Sequence, residues 1–224
     1  LTDQDTGGLR AIYAQPPDQV EAQCRALMED SQPRAIKVGL VGSSRIVRLL
    51  GALIDGRSDL PLVLDPVLAS NSGQEMVDAA LLNQLRNHLV RRATLVTPNL
   101  PEACTLADSE EPARCARRLL EIGARWVLIT GTHDSTPEVV NRLYAADGAE
   151  RTWSWPRLPG EYHGSGCTLA SAIAARLALG WPMVEAVSGA QEFTWTSLDR
   201  AMRTGRGQLT PNRLFALPET PGPP

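Results

Sequence analysis

The run His163-Gly164-Ser165-Gly166-Cys167-Thr168 sets a thiol and two hydroxyls on a glycine-rich turn. An alanine-rich stretch follows, in which Leu169, Ile173 and Leu177 recur every four residues. Alanine is the strongest helix former, and this spacing puts one apolar face against a core. Gly180 stands where a left-handed cap ends the helix. The first-turn amides of a helix have no partner within it, and the helix dipole adds partial positive charge there. Glycines let backbone close on a ligand without Cβ clashes. The pattern describes an anion site suited to phosphate, with Cys167 at its mouth. A second reading is a tight turn before a helix with a small buried thiol.

Two further places carry chemistry. Asp65 ends the apolar run Leu62-Val63-Leu64 and precedes Pro66. It reads either as a turn starter or as a carboxylate facing a ligand crevice. In Thr97-Pro98-Asn99-Leu100-Pro101-Glu102, Asn99 suits a helix N-cap, with Glu102 as its capping-box partner. A capped helix is also a rigid mount for a metal ligand. From spacing alone the capping role is the stronger reading of Glu102, and a metal role for Asp65 calls for such a second carboxylate nearby.

Alternating strands and helices position these residues. Strands are expected at residues 11–14, 35–41, 62–67, 93–97 and 126–130, and residues 1–8 read as a loop. Helices are expected from Pro17 (Val20, Cys24, Leu27 and Met28 on one face), after Ser43 or Ser44 as cap (Ile46, Leu49, Leu50 and Leu53 as stripe), over 77–89, 114–123 and 183–200. Residues 142–145 and 151–155 flank Ala146-Asp147-Gly148, a hairpin signal. Residues 71–73 read as a loop. The alternation predicts an α/β fold with a mostly parallel sheet, helices on both faces and an antiparallel hairpin at one edge. Ligands in such sheets bind beyond the carboxyl ends of the strands. Asp65, Asn99 and Glu102 all sit at such ends.

The 224 residues suffice for one large domain, expected over 1–216, with a Pro/Gly-rich tail at 217–224. Apolar residues make up 43% and charged residues 21%, with a net charge of −3, which gives no footing for nucleic acid or an anionic membrane. No apolar run reaches a membrane span. Cys24, Cys104, Cys115 and Cys167 lack metal-site spacing and read as free thiols of a reducing cytoplasm. The chain opens on Leu1, which suggests that an N-terminal segment precedes it.

The string from His163 to Thr168 with its alanine-rich helix resembles the signature of the hydroxymethylpyrimidine/phosphomethylpyrimidine kinases of thiamine biosynthesis, in the ribokinase-like superfamily. The resemblance extends from Leu1 to about Phe215. It implies a three-layer ribokinase-like fold and ATP-dependent phosphorylation of 4-amino-5-hydroxymethyl-2-methylpyrimidine and then of its monophosphate. By resemblance Cys167 is the base, and Gly164, Ser165, Gly166 and Thr168 form the anion hole for ATP phosphate. Asp65, Asn99 and Glu102 organise Mg²⁺ and nucleotide. The segment Leu1-Thr2-Asp3-Gln4-Asp5-Thr6 is similar to the family's substrate segment, which makes Gln4 a pyrimidine ligand rather than a surface turn residue. Lys37-Val38-Gly39-Leu40 and Asp65-Pro66-Val67 place Leu40 and Val67 against the pyrimidine, with core packing as the alternative. A helix start lowers a thiol's pKa, which predicts a Cys167 thiolate near neutral pH. No His is assigned to make Cys167 a covalent nucleophile, and His163 shapes the turn. The resemblance also implies a homodimer.

Two departures accompany it. The family's N-terminal strand and Gly-rich segment are missing, and Thr130-Gly131-Thr132-His133 stands where the family has Lys-Gly-Gly-His. The missing Lys removes a positive charge that helps hold ATP phosphates. A pyridoxal or pyridoxine kinase of the same superfamily and a non-catalytic pyrimidine-binding module are the alternatives.

Overall fold

The computed structural model describes residues 1–68, 77–132 and 136–217. The loop expected at 71–73, His133 and the tail beyond Leu217 lie outside these. A six-stranded sheet runs in sequence order: β3 (Ile36–Val38), β4 (Leu62–Leu64), β5 (Leu95–Val96), β6 (Trp126–Ile129), β7 (Glu138–Ala145) and β8 (Glu150–Pro156). The pairs from β3 to β6 are parallel; β6–β7 and β7–β8 are antiparallel. The expected edge hairpin is therefore present. The parallel strands are shorter than their apolar runs, because their carboxyl ends peel into loops.

Residue alternation along the strands separates two cores. Val38, Leu62, Leu64, Val96, Val127 and Ile129 face one side. There they meet α2 (Ser44–Asp55), α3 (Ala79–Gln84), α4 (Leu100–Ala107) and α5 (Pro112–Ile122). Val63, Leu95, Leu128 and Leu143 face the other side, against α6 (Ser165–Ala178) and α7 (Met183–Asp199). The result is the three-layer arrangement that the alternation predicts. Leu169 and Ile173 are buried as expected, and Gly180 takes φ 84° just beyond the end of α6.

Several local expectations need correction. Residues 1–8 do not form a loop. β1 (Thr2–Asp5) pairs antiparallel with β2 (Gly8–Ile12). This ribbon carries no apolar alternation, which hides it from pattern reading. Its turn is held by the Asp5 carboxylate accepting from the Gly7 amide at 2.7 Å, and Arg10 pairs with Asp3 and Asp5. Ser43 stands at the α2 N-cap, but its side chain makes no capping bond. The buried face of α2 is Val47, Gly51 and Ile54 rather than the expected leucine stripe. Gly51 belongs there because a Cβ would lie 2.9 Å from the His88 Cβ, so its bare Cα admits the neighbouring helix. On α1 (Pro17–Asp30), Val20, Cys24 and Met28 are half-buried while Leu27 is 62% exposed. The helical stretch from α3 continues through a π turn (Leu85–Leu89) into a 3₁₀ turn (Val90–Arg92).

Candidate active site

The start of α6 is open. Gly164 is its N-cap in the left-handed region (φ 81°, ψ 20°), with no side-chain capping bond. The first turn closes only at the Thr168 amide, which donates to the Gly164 carbonyl at 3.0 Å. The amides of Ser165, Gly166 and Cys167 thus precede the helix ladder. Gly166 and Cys167 are exposed, while Thr168 is buried and donates its hydroxyl to the same carbonyl at 2.7 Å. A helix start without its own plug presents donors to an incoming anion.

Two carboxylates stand near it. Asp65 follows β4, is 5% exposed, and lies with Oδ1 3.9 Å from where a Gly166 Cβ would be. Its Oδ2 is within 3.2 Å of Lys37 Nζ, yet no hydrogen bond of acceptable geometry reaches that oxygen. Gly39 leaves room for Lys37 to fold back: a Cβ there would lie 2.5 Å from Nζ. Glu102 and Asn99 form the expected capping box at α4. The Glu102 amide donates to Asn99 Oδ1 at 2.9 Å, and the Asn99 amide donates to Glu102 Oε2 at 3.0 Å. The Leu68 amide reaches Glu102 Oε1 at 3.4 Å. Burial, with the Asp65 charge assisting, pushes the Glu102 carboxyl up to about 7 against backbone hydrogen bonds that lower it. The capping reading of Glu102 is the one the geometry shows, and its carboxyl also feels the charge of Asp65.

Cys167 lines an open cleft of about 450 Å³ with Thr168, Ser171, Ala172, Phe193 and Arg213. Its thiol is pushed up, by partial burial first and the Asp65 carboxylate second, with Lys37 opposing. This reverses the expected depressed pKa. Desolvation of the sulfur, with the Asp65 carboxylate adding to it, favours the neutral thiol. Sequence reading missed Arg213. Its Nε donates to Thr168 Oγ1 at 2.9 Å, and an Nη atom lies 3.1 Å from the Gly164 Cβ position. The segment carrying it is tied to the turn: the His163 amide donates to the Leu209 carbonyl and the Leu209 amide to the Glu161 carbonyl, each at 2.9 Å.

A profile of the phosphomethylpyrimidine kinase family matches residues 1–212. The chain belongs to this family. It is 38% identical to the hydroxymethylpyrimidine/phosphomethylpyrimidine kinase of Mycobacterium tuberculosis, covering 97% of this chain and 82% of that protein. To its counterpart from Streptomyces coelicolor it is 35% identical, covering 98% and 82%. It also matches a thiamine biosynthesis bifunctional protein of Geobacter sulfurreducens at 34% identity, spanning 96% of this chain but 45% of that one. Among solved structures, phosphomethylpyrimidine kinase from Clostridium difficile superposes with TM-score 0.75 at 30% identity over 86% of this chain and 81% of that one. The ADP complex of Bacillus subtilis pyridoxal kinase gives 0.82 at 24% identity, covering 91% and 78%, a likeness of fold. The expected ribokinase-like fold is thus the observed one.

Against this family frame, the structure gathers Asp65, Glu102 and Cys167 and adds Lys37 and Arg213. Leu40, Val67 and Gln4, the positions expected against the pyrimidine, are not among the residues that line the cleft. Leu40 and Val67 are half-buried just beyond the carboxyl ends of β3 and β4. Gln4 is exposed on β1. Its hairpin reaches the carboxyl end of the sheet through Ile12, which packs against Gly42, and reaches the C-terminal loop through Thr6. Thr130, at the family's Lys position, pairs with Asn99 across β5 and β6, where its amide donates to the Pro98 carbonyl. The signal that could have flagged Lys37 is its strand position two residues before Gly39, on the strand neighbouring Asp65. Arg213 had none, since it lies 45 residues from its partner Thr168.

Proposed function

We propose that this chain transfers the γ-phosphoryl group of ATP to the hydroxymethyl oxygen of 4-amino-5-hydroxymethyl-2-methylpyrimidine, and then a second phosphoryl to the monophosphate. The observation that carries this reading is the uncapped start of α6 with Cys167 facing a cleft, in a chain of the phosphomethylpyrimidine kinase family. The amides of residues 165–167 hold the moving phosphoryl, and Gly164 and Thr168 set their direction. Cys167 takes the proton of the attacking hydroxyl. Phosphoryl transfer rests chiefly on positioning and charge, so the small thiolate fraction of a raised thiol suffices, and that thiolate is the stronger base.

Asp65 and Glu102 fit Mg²⁺. Both offer hard oxygens, Asp65 Oδ2 is buried without a hydrogen bond, and the proximity of two carboxylates is relieved by a cation. The bound ion would neutralise charge on the nucleotide phosphates. Asn99 keeps Glu102 aimed, and Lys37 steadies Asp65. Gln4, Leu40 and Val67 are assigned to the pyrimidine, with the hairpin that bears Gln4 folding over it. We place the enzyme in the cytoplasm as a homodimer, on the family resemblance; light scattering tests the assembly. Among the described residues no helix is long and apolar enough to cross a membrane.

ADP release by the full chain with Mg-ATP and the pyrimidine alcohol tests the activity, and no turnover overturns it. Pyridoxal is the second reading. It is favoured by the Staphylococcus aureus pyridoxal kinase complex with AMP-PCP and pyridoxal, which superposes at TM-score 0.83 and 25% identity over 95% of this chain and 78% of that one. The ratio of kcat/KM for the two alcohols separates them.

A further inference from the structure

We propose that Arg213 is a phosphate-binding residue of this site, supplying positive charge at the start of α6. The inference rests on the kinase reading above.

Three observations carry it. First, Arg213 is placed by its surroundings rather than hanging free. The Asn212 amide donates to the Ser197 carbonyl at 2.8 Å, and the Leu214 amide to Asn212 Oδ1 at 3.1 Å. Two residues on, Phe215 packs on Phe193 with ring centroids 5.4 Å apart. The backbone is thus anchored on both sides of the arginine. Its Nε is committed to Thr168 Oγ1, which itself donates to the Gly164 carbonyl. That chain brings an outer guanidinium nitrogen beside Gly164, the N-cap of α6, and a guanidinium offers paired donors matched to phosphate oxygens.

Second, the other cations nearby are engaged. Lys37 is against Asp65 at 3.2 Å. Arg157 donates to the carbonyls of Gly131, Thr132 and Thr136. Among the described residues Arg213 has no carboxylate within ion-pair distance, although it lines the cleft beside Cys167. An arginine held by a neutral hydroxyl at the helix start, and lining the cleft, has its charge available to a ligand.

Third, the opposite wall points to a bound charge. Asp65 is 95% buried, with Oδ2 lacking a hydrogen bond and Oδ1 directed toward Gly166. Lys37 Nζ at 3.2 Å supplies part of its counter-charge, and a metal ion carried by a polyphosphate would add to it. Carboxylates on one side and a guanidinium without a carboxylate partner on the other suit a metal-complexed polyphosphate.

The test compares ligands that differ only in phosphates. Affinities of wild type, Arg213→Ala, Arg213→Gln and Arg213→Lys are measured calorimetrically for adenosine and for Mg²⁺-AMP-PCP. We expect Arg213→Ala to bind AMP-PCP about 10–100-fold more weakly, the scale of losing a hydrogen bond to a charged group, with adenosine unchanged and Lys restoring part of the loss. Gln keeps a donor for Thr168 without the charge, so it serves if the alanine variant fails to fold, and it should behave like Ala. Undiminished AMP-PCP binding in Arg213→Gln overturns the proposal, as does an equal loss for adenosine and AMP-PCP, which marks a purely structural role. If wild type binds AMP-PCP through Arg213 yet leaves the pyrimidine unphosphorylated, the substrate reading fails and this one stands.

Discussion

Cys167 and Glu102 show how neighbours decide the behaviour of single groups. The thiol is raised by partial burial and by Asp65, so its thiolate, the base in the proposed mechanism, becomes more abundant as pH climbs. The kinase rate should therefore rise from neutral into the alkaline range. Cys167→Ala should lower kcat by about 10²–10⁴-fold, the usual contribution of a positioned base, while leaving pyrimidine affinity nearly intact. Steady-state kinetics across pH, with binding measured separately, checks both. Unchanged turnover would remove the sulfur from the mechanism. Glu102 is an acid held up to about 7, against an ordinary value of 4.5. The folded chain therefore binds this proton more tightly than the unfolded chain. The stabilisation it contributes is complete below about 4.5 and disappears as pH rises through about 7, an amount of roughly 3 kcal/mol. Glu102→Gln, which can still cap Asn99, should flatten that decline in urea denaturation of the metal-free protein between pH 5 and 8. Parallel pH profiles for the two proteins would refute the buried-acid assignment.

At the scale of elements, caps and close approaches hold the site together. The α4 start depends on Asn99, whose side chain takes the Glu102 amide. Asn99→Ala should cost about 1 kcal/mol by chemical denaturation and weaken Mg²⁺-dependent nucleotide binding further, because Glu102 loses its partner. The N-terminal hairpin is joined to the C-terminal loop by the Gln208 amide donating to the Thr6 carbonyl at 2.8 Å and the Gly207 amide to Thr6 Oγ1 at 3.1 Å. A Cβ at Gly207 would collide with the Thr6 backbone. Gly207→Ala should thus part the two, raising hydrogen exchange in β1 and β2 while the α6 core keeps its protection. Equal exchange in both proteins would mean that the loop yields without releasing the hairpin.

Across the whole molecule, one sheet serves two cores. Leu64 faces the α2–α5 layer and its neighbour Val63 faces α6 and α7. Damage to one layer should therefore be felt by the other. Leu64→Ala should cost about 2–5 kcal/mol, and far-ultraviolet circular dichroism should report the same transition as fluorescence from Trp153 and Trp155 on β8. Separate midpoints would show that the layers unfold independently. The polar link Gly131 amide to Asn141, Asn141 to Gln191, and Trp155 to Gln191 crosses from β6 through β7 and β8 to α7, and gives the antiparallel edge its own tie to the second layer.

Local chemistry made much of this legible from sequence. Apolar runs bounded by Gly, Pro and Asn marked the four parallel strands β3–β6, and the Ala146-Asp147-Gly148 turn marked the antiparallel pair β7–β8. The glycine-rich turn marked the α6 start, because only that backbone opens a helix toward a ligand. The Asn99–Glu102 cap was readable because both partners lie within one helical turn. Other features depended on residues far apart in the chain. The β1–β2 ribbon is polar, and its stability comes from Arg10 pairs and from the C-terminal loop rather than from alternation. The buried face of α2 turned on a glycine that admits a neighbour. The Cys167 thiol is raised by packing around the sulfur and then by Asp65, about a hundred residues earlier, and Arg213 reached the site only because the 209 segment pairs beside the 161–163 loop. Short-range stereochemistry is written in neighbouring residues; fields and contacts between distant ones exist only after the chain has closed on itself.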